Sequence, residues 1–181
     1  AIRIGATPVL VDIDPVTAQM SPDSLRLILA TKQIKVVVAT HLYGLMAEIE
    51  MIRSICDNAN VLLIEDCAQA FGAKFIKGKY SGRFAGTVGA FGTFSFFPTK
   101  NLGALGDGGA ISSTNADFLV KAKSIASHGQ RKKYEHHVLG LNSRLDPIQA
   151  AALAVKLKFL PEALSTKTLI SEQYLAAFQP L

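Results

Sequence analysis

"KVVVATHLYGLMAEIEMIRSICDNANVLLIED", residues 35–66, places two short apolar runs on either side of one amphipathic stretch. Residues 35–40 and 61–66 are rich in valine, leucine and isoleucine and read as strands. Between them Leu45, Ile49, Ile52 and Cys56 recur at helical spacing, which predicts a helix over 45–59 with one apolar face. Strand, helix, strand in that order is a crossover unit whose strands run parallel. The fold class is therefore α/β, with a mostly parallel central sheet flanked by helices.

The rest of the chain extends this pattern. "PVLVDI" (8–13), "GAFGTFSF" (89–96) and "GAISST" (109–114) are further strand candidates. Several of the runs are apolar on both alternations, as strands buried on both faces should be. Ser21 followed by Pro22 reads as the N-cap and first residue of a helix. Another helix is expected over 115–127, and a last one from about Asp146, with Asp146 before Pro147 as its start signal, runs until Pro161 kinks or ends it. Internal repeats, low-complexity tracts and an evident linker are all lacking.

Composition narrows the class. The 181 residues are 49% hydrophobic and 18% charged, enough for one substantial core, and no apolar run approaches the roughly 20 residues that span a bilayer. A soluble protein with no membrane partner is expected. The opening "AIRIGATPVL" has no initiator methionine and no signal-peptide pattern, so the chain reads as an internal piece of a longer one. Cys56 and Cys67 fit no zinc spacing and suggest a reducing cytoplasm. The net charge of +5 gathers mainly around residues 121–133, where a solvated face explains it, and no nucleic-acid partner is expected.

In open parallel sheets the loops after the strands form the ligand crevice, so chemistry is expected at "THLYG", "EDCAQA" and "SFFPTK". Asp66, at the end of a strand, reads either as a helix cap or as an acceptor for a cationic ligand. Glu65 should face the opposite side of that strand. Lys100 lies between an aromatic flank, "FSFFP", and the glycines of "GALGDGG". On local grounds it is a loop charge, a phosphate clamp or a reactive amine whose pKa the aromatic flank lowers. Ser95 could donate to a phosphate. His41, His128, His136 and His137 are scattered; substrate contact is the expected role for those on loops, and no metal site is expected.

The linked motifs "GATPVLVDID" (5–14), "HLYG" (41–44), "IEDCAQAFGA" (64–73), "FSFFPTKNLGALGDGGA" (94–110) and "HGQRKKYEHHVLGLNSRLDPIQAAAL" (128–153) resemble the DegT/DnrJ/EryC1/StrS family of nucleotide-sugar aminotransferases. The resemblance implies a type I aminotransferase large domain that binds pyridoxal 5'-phosphate as an internal aldimine on Lys100. Asp66 would pair with the pyridinium nitrogen, Gln69 would lie beside the ring, and Ser95 would contact the phosphate. Asn142 would reach the partner's cofactor phosphate in a homodimer with shared active sites. Tyr134 and His136, in a basic loop, are candidates for substrate contact. The implied reaction moves an amino group, with glutamate as the typical donor, to a keto group of a nucleotide-linked sugar in the synthesis of polysaccharide or secondary-metabolite sugars.

Family members extend past both ends of this chain. Residues 1–160 are accordingly expected to be the central part of the large domain and 161–181 the helical start of a connection, with an N-terminal segment and a C-terminal small domain absent. By itself such a fragment is expected to bind cofactor weakly and turn over poorly. Two alternatives remain: a pyridoxal-phosphate-dependent sugar dehydratase of the same family, in which a histidine characteristically replaces the lysine, and a non-catalytic α/β protein that binds the cofactor or a nucleotide.

Overall fold

A computed structural model of the chain describes residues 1–178. The final three residues of the expected 161–181 connection lie outside the described residues. The chain divides into two units, Ala1–Phe94 with Ile111–Leu119, and Ser95–Ala110 with the described part of Val120–Leu181.

The first unit is built on the predicted crossover. Strands β1 (Val36–Thr40) and β2 (Leu62–Asp66) are joined by helix α2 (Ile49–Asn58) and pair in parallel, with Val37 opposite Leu63 and Thr40 opposite Asp66. Strand β3 (Phe91–Ser95) runs parallel to β2, with Asp66 opposite Thr93. With β4 (Gly109–Ser112) the sheet has the order β1-β2-β3-β4. Helix α1 (Pro22–Thr31) starts as its sequence predicts: the Ser21 hydroxyl accepts the Ser24 N–H, and Pro22 occupies the first turn, where its missing N–H costs nothing.

Alternation along the strands sends Val37, Ala39 and Leu63 to one face. There they pack with Leu25 of α1 and with Ile49, Ile52, Ile55 and Cys56 of α2. Each aliphatic side chain buried in this way stabilises the fold by about 1.5–3 kcal/mol. The other face differs from the expectation of two-sided burial, because Val36, Val38 and Leu62 remain 43%, 50% and 47% exposed. Both helices stand on one side of β1 and β2, so the second apolar row has no counterpart there.

Residues 8–13 are not a strand. Ile13 forms a single antiparallel bridge to Met20, and the chain closes a local turn in which the Asp14 carboxylate accepts the N–H groups of Val16 and Thr17. An aspartate followed by proline and threonine captures its own backbone here, an alternative to sheet pairing. Helix α2 also starts four residues later than its apolar spacing suggests. It is preceded by a short 3-10 turn, Leu42–Gly44, with Tyr43 at φ 60° and Gly44 at φ 78°, and by the non-helical residues 45–48.

The second unit carries most of α3 (Ala116–Ala126), a small hairpin of β5 (Gln130–Lys132) and β6 (Glu135–His136), and two helices. These are α4 (Pro147–Leu157) and α5 (Leu160–Phe178); α4 ends before Pro161, which stands in the first turn of α5 rather than kinking or ending α4. Among the described residues no helix is long and apolar enough to cross a membrane.

Candidate functional site

At the carboxyl end of β2 the motifs HLYG and EDCAQ meet. The half-buried Asp66 uses Oδ1 to accept the Ala68 N–H at 3.0 Å, while Oδ2 has only a long contact, 3.4 Å, from the Thr40 hydroxyl. That oxygen retains acceptor capacity for a further donor. The Asp66 carbonyl accepts the His41 N–H at 3.0 Å. Gln69 accepts the Tyr43 N–H through Oε1 at 2.7 Å, which holds the left-handed Tyr43–Gly44 turn against the loop after β2. Its amide NH2 group has no hydrogen-bond partner among the described residues.

Glu65 occupies the opposite side of β2, fully buried with His41. Its Oε2 meets His41 Nε2 at 3.0 Å and the Gly86 N–H at 3.0 Å; its Oε1 accepts the N–H groups of Val88 at 2.6 Å and Gly89 at 2.7 Å. His41 Nδ1 accepts the Ala47 N–H at 3.0 Å, so the ring proton resides on Nε2 and is donated to Glu65. Burial is the largest influence on the Glu65 carboxyl and pushes its pKa up. The His41 bond and the N–H groups of Gly89, Val88 and Gly86 outweigh burial together and hold it below the ordinary value.

Cys67 brings its sulfur near this pair, and potential ligand atoms of His41, Glu65 and Cys67 lie within 4.8 Å of one another. Both histidine nitrogens and both carboxylate oxygens are already engaged. Burial drives the Cys67 thiol up to about 12, so it stays protonated at neutral pH. The trio is a hydrogen-bonded part of the core.

Lys100 sits in the second unit on a tightly braced loop. Its backbone N–H donates to the Phe97 carbonyl at 2.9 Å, closing a turn in which Pro98 takes the position its fixed φ favours. Phe96 pairs through its N–H with Gly108 and through its carbonyl with Ala104, and Leu102, Gly103 and Ala104 are buried. Gly103 has no alternative residue here, since a Cβ would lie 2.3 Å from the Pro98 carbonyl oxygen. Helix α4 braces the loop through Gln149, which accepts the Leu105 N–H, and through Lys156, which donates to the Gly103 carbonyl. The half-buried Lys100 side chain itself has no hydrogen bond or ion pair among the described residues.

The remaining candidates also lie in the second unit. Ser95 closes β3 and accepts the Phe97 N–H at 3.3 Å, leaving its hydroxyl proton free to donate. Asn142 bridges to Ser127 and accepts from Arg144 Nε at 3.1 Å. Tyr134, at φ 70° and 77% exposed, forms the tip of the β5–β6 hairpin. His136, on β6, is tied to the His128 carbonyl at 2.9 Å and to Gln130 at 3.2 Å.

Glu65 had no task in the sequence and His41 stood there among scattered histidines, yet the two form a fully buried, hydrogen-bonded pair. The signal available was the position of Glu65 itself, an ionisable residue inside an apolar strand, which must find partners if buried.

The sequence matches the profile of the DegT/DnrJ/EryC1/StrS aminotransferase family over residues 1–181. It is 48% identical over 158 residues to the pleiotropic regulatory protein of Geobacillus stearothermophilus, covering 87% of this chain and 41% of that protein. It is 37% identical over 171 residues to the UDP-2-acetamido-2-deoxy-3-oxo-D-glucuronate aminotransferase of Pseudomonas aeruginosa, covering 94% and 46%. The fold superposes with a TM-score of 0.85 and 29% identity on NtdA from Bacillus subtilis with bound cofactor PMP, covering 98% of this chain and 39% of that one. The chain thus spans less than half the length of the curated relatives it matches.

Proposed function

Because the chain belongs to the DegT/DnrJ/EryC1/StrS aminotransferase family, we propose that in its full-length polypeptide it forms the cofactor-bearing part of a pyridoxal-phosphate-dependent enzyme. That enzyme transfers an amino group, with glutamate as donor, to a keto group of a nucleotide-linked sugar. The observation that carries the reading is Lys100: a half-buried amine on a braced loop, with no partner among the described residues.

The donor set fits the cofactor chemically. Pyridoxal phosphate, when bound, supplies an electron sink for negative charge beside the transferred nitrogen. Asp66 keeps a carboxylate oxygen open at the end of β2 and would hold a proton on the pyridine nitrogen. Lys100 would carry the cofactor carbonyl carbon on Nζ and afterwards move a proton as a general base. Ser95, with its hydroxyl proton uncommitted, would donate to the phosphate, and the free amide of Gln69 would lie beside the ring. Tyr134 and His136, on the exposed hairpin, would meet the sugar nucleotide.

We place Asn142 at the partner's phosphate in a homodimer with shared sites, working in the cytoplasm. Mixing Lys100→Ala with Asn142→Ala protein should then restore part of the activity that each lacks alone; no restoration would refute shared sites. The regulatory name of the Geobacillus relative favours a second reading, a binding protein without turnover. Two assays on the full-length polypeptide separate the readings. The proposed enzyme gives a borohydride-reducible absorption band with pyridoxal phosphate, and consumes glutamate with one member of a panel of nucleotide keto-sugars. A reducible band without amino transfer to any sugar supports the binding protein.

A further inference from the structure

We infer that His41 and Glu65 are a positioning pair for Asp66, an inference that rests on the cofactor reading above. His41 holds both residues of the Glu65–Asp66 dipeptide, with its ring on the Glu65 carboxylate and its main-chain N–H on the Asp66 carbonyl. Glu65 in turn gathers the N–H groups of Gly86, Val88 and Gly89, so the loop entering β3 is tied to the end of β2. Further bonds close the same knot. The Thr93 hydroxyl donates to the Glu65 carbonyl at 3.3 Å, the Cys67 N–H donates to the Thr93 carbonyl at 2.8 Å, and the Ser112 hydroxyl donates to the Gly86 carbonyl at 2.6 Å.

A buried carboxylate is costly unless its lone pairs are filled, and here four donors fill them. Such a group is a poor choice for stability alone, since an apolar residue would pack the same space without desolvating a charge. What it provides is a fixed place for the backbone at the end of β2. Asp66 leaves that backbone on the opposite face, and its own side chain is restrained by the Ala68 N–H. A carboxylate that must meet a ring nitrogen tolerates displacements of only about 0.5 Å. His41 and Glu65 therefore act on the cofactor through Asp66 without touching it.

The test uses the full-length polypeptide and three variants, with pyridoxal phosphate titrated by absorption and far-UV circular dichroism recorded at the same temperature. Glu65→Gln turns a donor amide toward donor N–H groups, and His41→Asn removes the Nε2 donor. Both should raise the half-saturating concentration on the order of ten-fold, as outer partners of a ligand do, with the circular dichroism unchanged. His41→Gln, whose amide nitrogen can stand where Nε2 does, should recover most of the loss. Unchanged half-saturation in folded Glu65→Gln and His41→Asn, or no recovery in His41→Gln, overturns the inference while leaving the cofactor reading intact. Absence of saturable binding in the wild type overturns both. Should the variants not fold, amide hydrogen exchange of the wild type decides: Gly86, Val88 and Gly89 in the slowest-exchanging class support the pair, and loop-like exchange there refutes it.

Discussion

His41 donates its only ring proton to the Glu65 carboxylate across 3.0 Å, with both side chains withdrawn from solvent. The bond joins the exit of the first strand to the end of the second. It makes the meeting of HLYG with EDCAQ a rigid feature of the fold. Asp66, Gln69 and the left-handed Tyr43 turn all hang from it.

The pair has a pH signature. Glu65 titrates below the ordinary carboxylate range, so its contribution is fully present above the unfolded-state value of about 4.3 and is lost as pH falls through the lower folded value. Wild type should therefore exceed Glu65→Gln in stability at pH 7 and lose that margin progressively below about pH 4. Urea melts of both proteins across this range measure it; a margin constant with pH would contradict the assignment.

Gly86 adopts φ 79°, and a Cβ on it would lie 2.5 Å from the Phe94 ring and 3.1 Å from Cys67 Sγ. Gly86→Ala combines backbone strain with a clash in a packed site and should cost roughly 2 kcal/mol or more. Gly82, at φ 82° with nothing within 4 Å of its Cβ position, provides the control. Gly82→Ala meets the strain alone and should cost about 1 kcal/mol. Equal urea midpoints for the two variants would show that close packing around Gly86 is not what the structure describes.

Both cysteines are buried, and burial drives their thiols up, Cys56 to about 11 and Cys67 to about 12. The thiolate is the reactive form. Native protein at pH 8 should resist iodoacetamide at both positions and take up two equivalents after unfolding. Rapid labelling of either thiol in the native state would place it outside the core.

The crossover from β1 through α2 to β2 was legible because its three pieces carry strong, contrasting periodicities, and Ser21-Pro22 announced α1 by plain capping chemistry. Residues 8–13 misled because an apolar run says nothing about whether a neighbouring strand is available to pair with it, and here Asp14 turned the chain first. Leu45 kept helical spacing with Ile49, but its N–H closes the Leu42–Gly44 turn and the Ala47 N–H is taken by His41 Nδ1, so the helix begins only at Ile49. Lys100 and Asp66 could be picked out as candidates, while on local grounds a loop charge and a helix cap stayed open for them. The role of His41 was not, because a buried pair 24 residues apart in sequence leaves no local pattern.

The proposed function puts the cofactor on Lys100. The direct measurement is to load the full-length polypeptide with pyridoxal phosphate, reduce it with borohydride, digest it and map the modified peptide by mass spectrometry, alongside Lys100→Ala. The expected result is a single stable adduct on the peptide containing Lys100, absent from the variant. An adduct spread over surface lysines, or one retained in Lys100→Ala, would rule out Lys100 as the carrier.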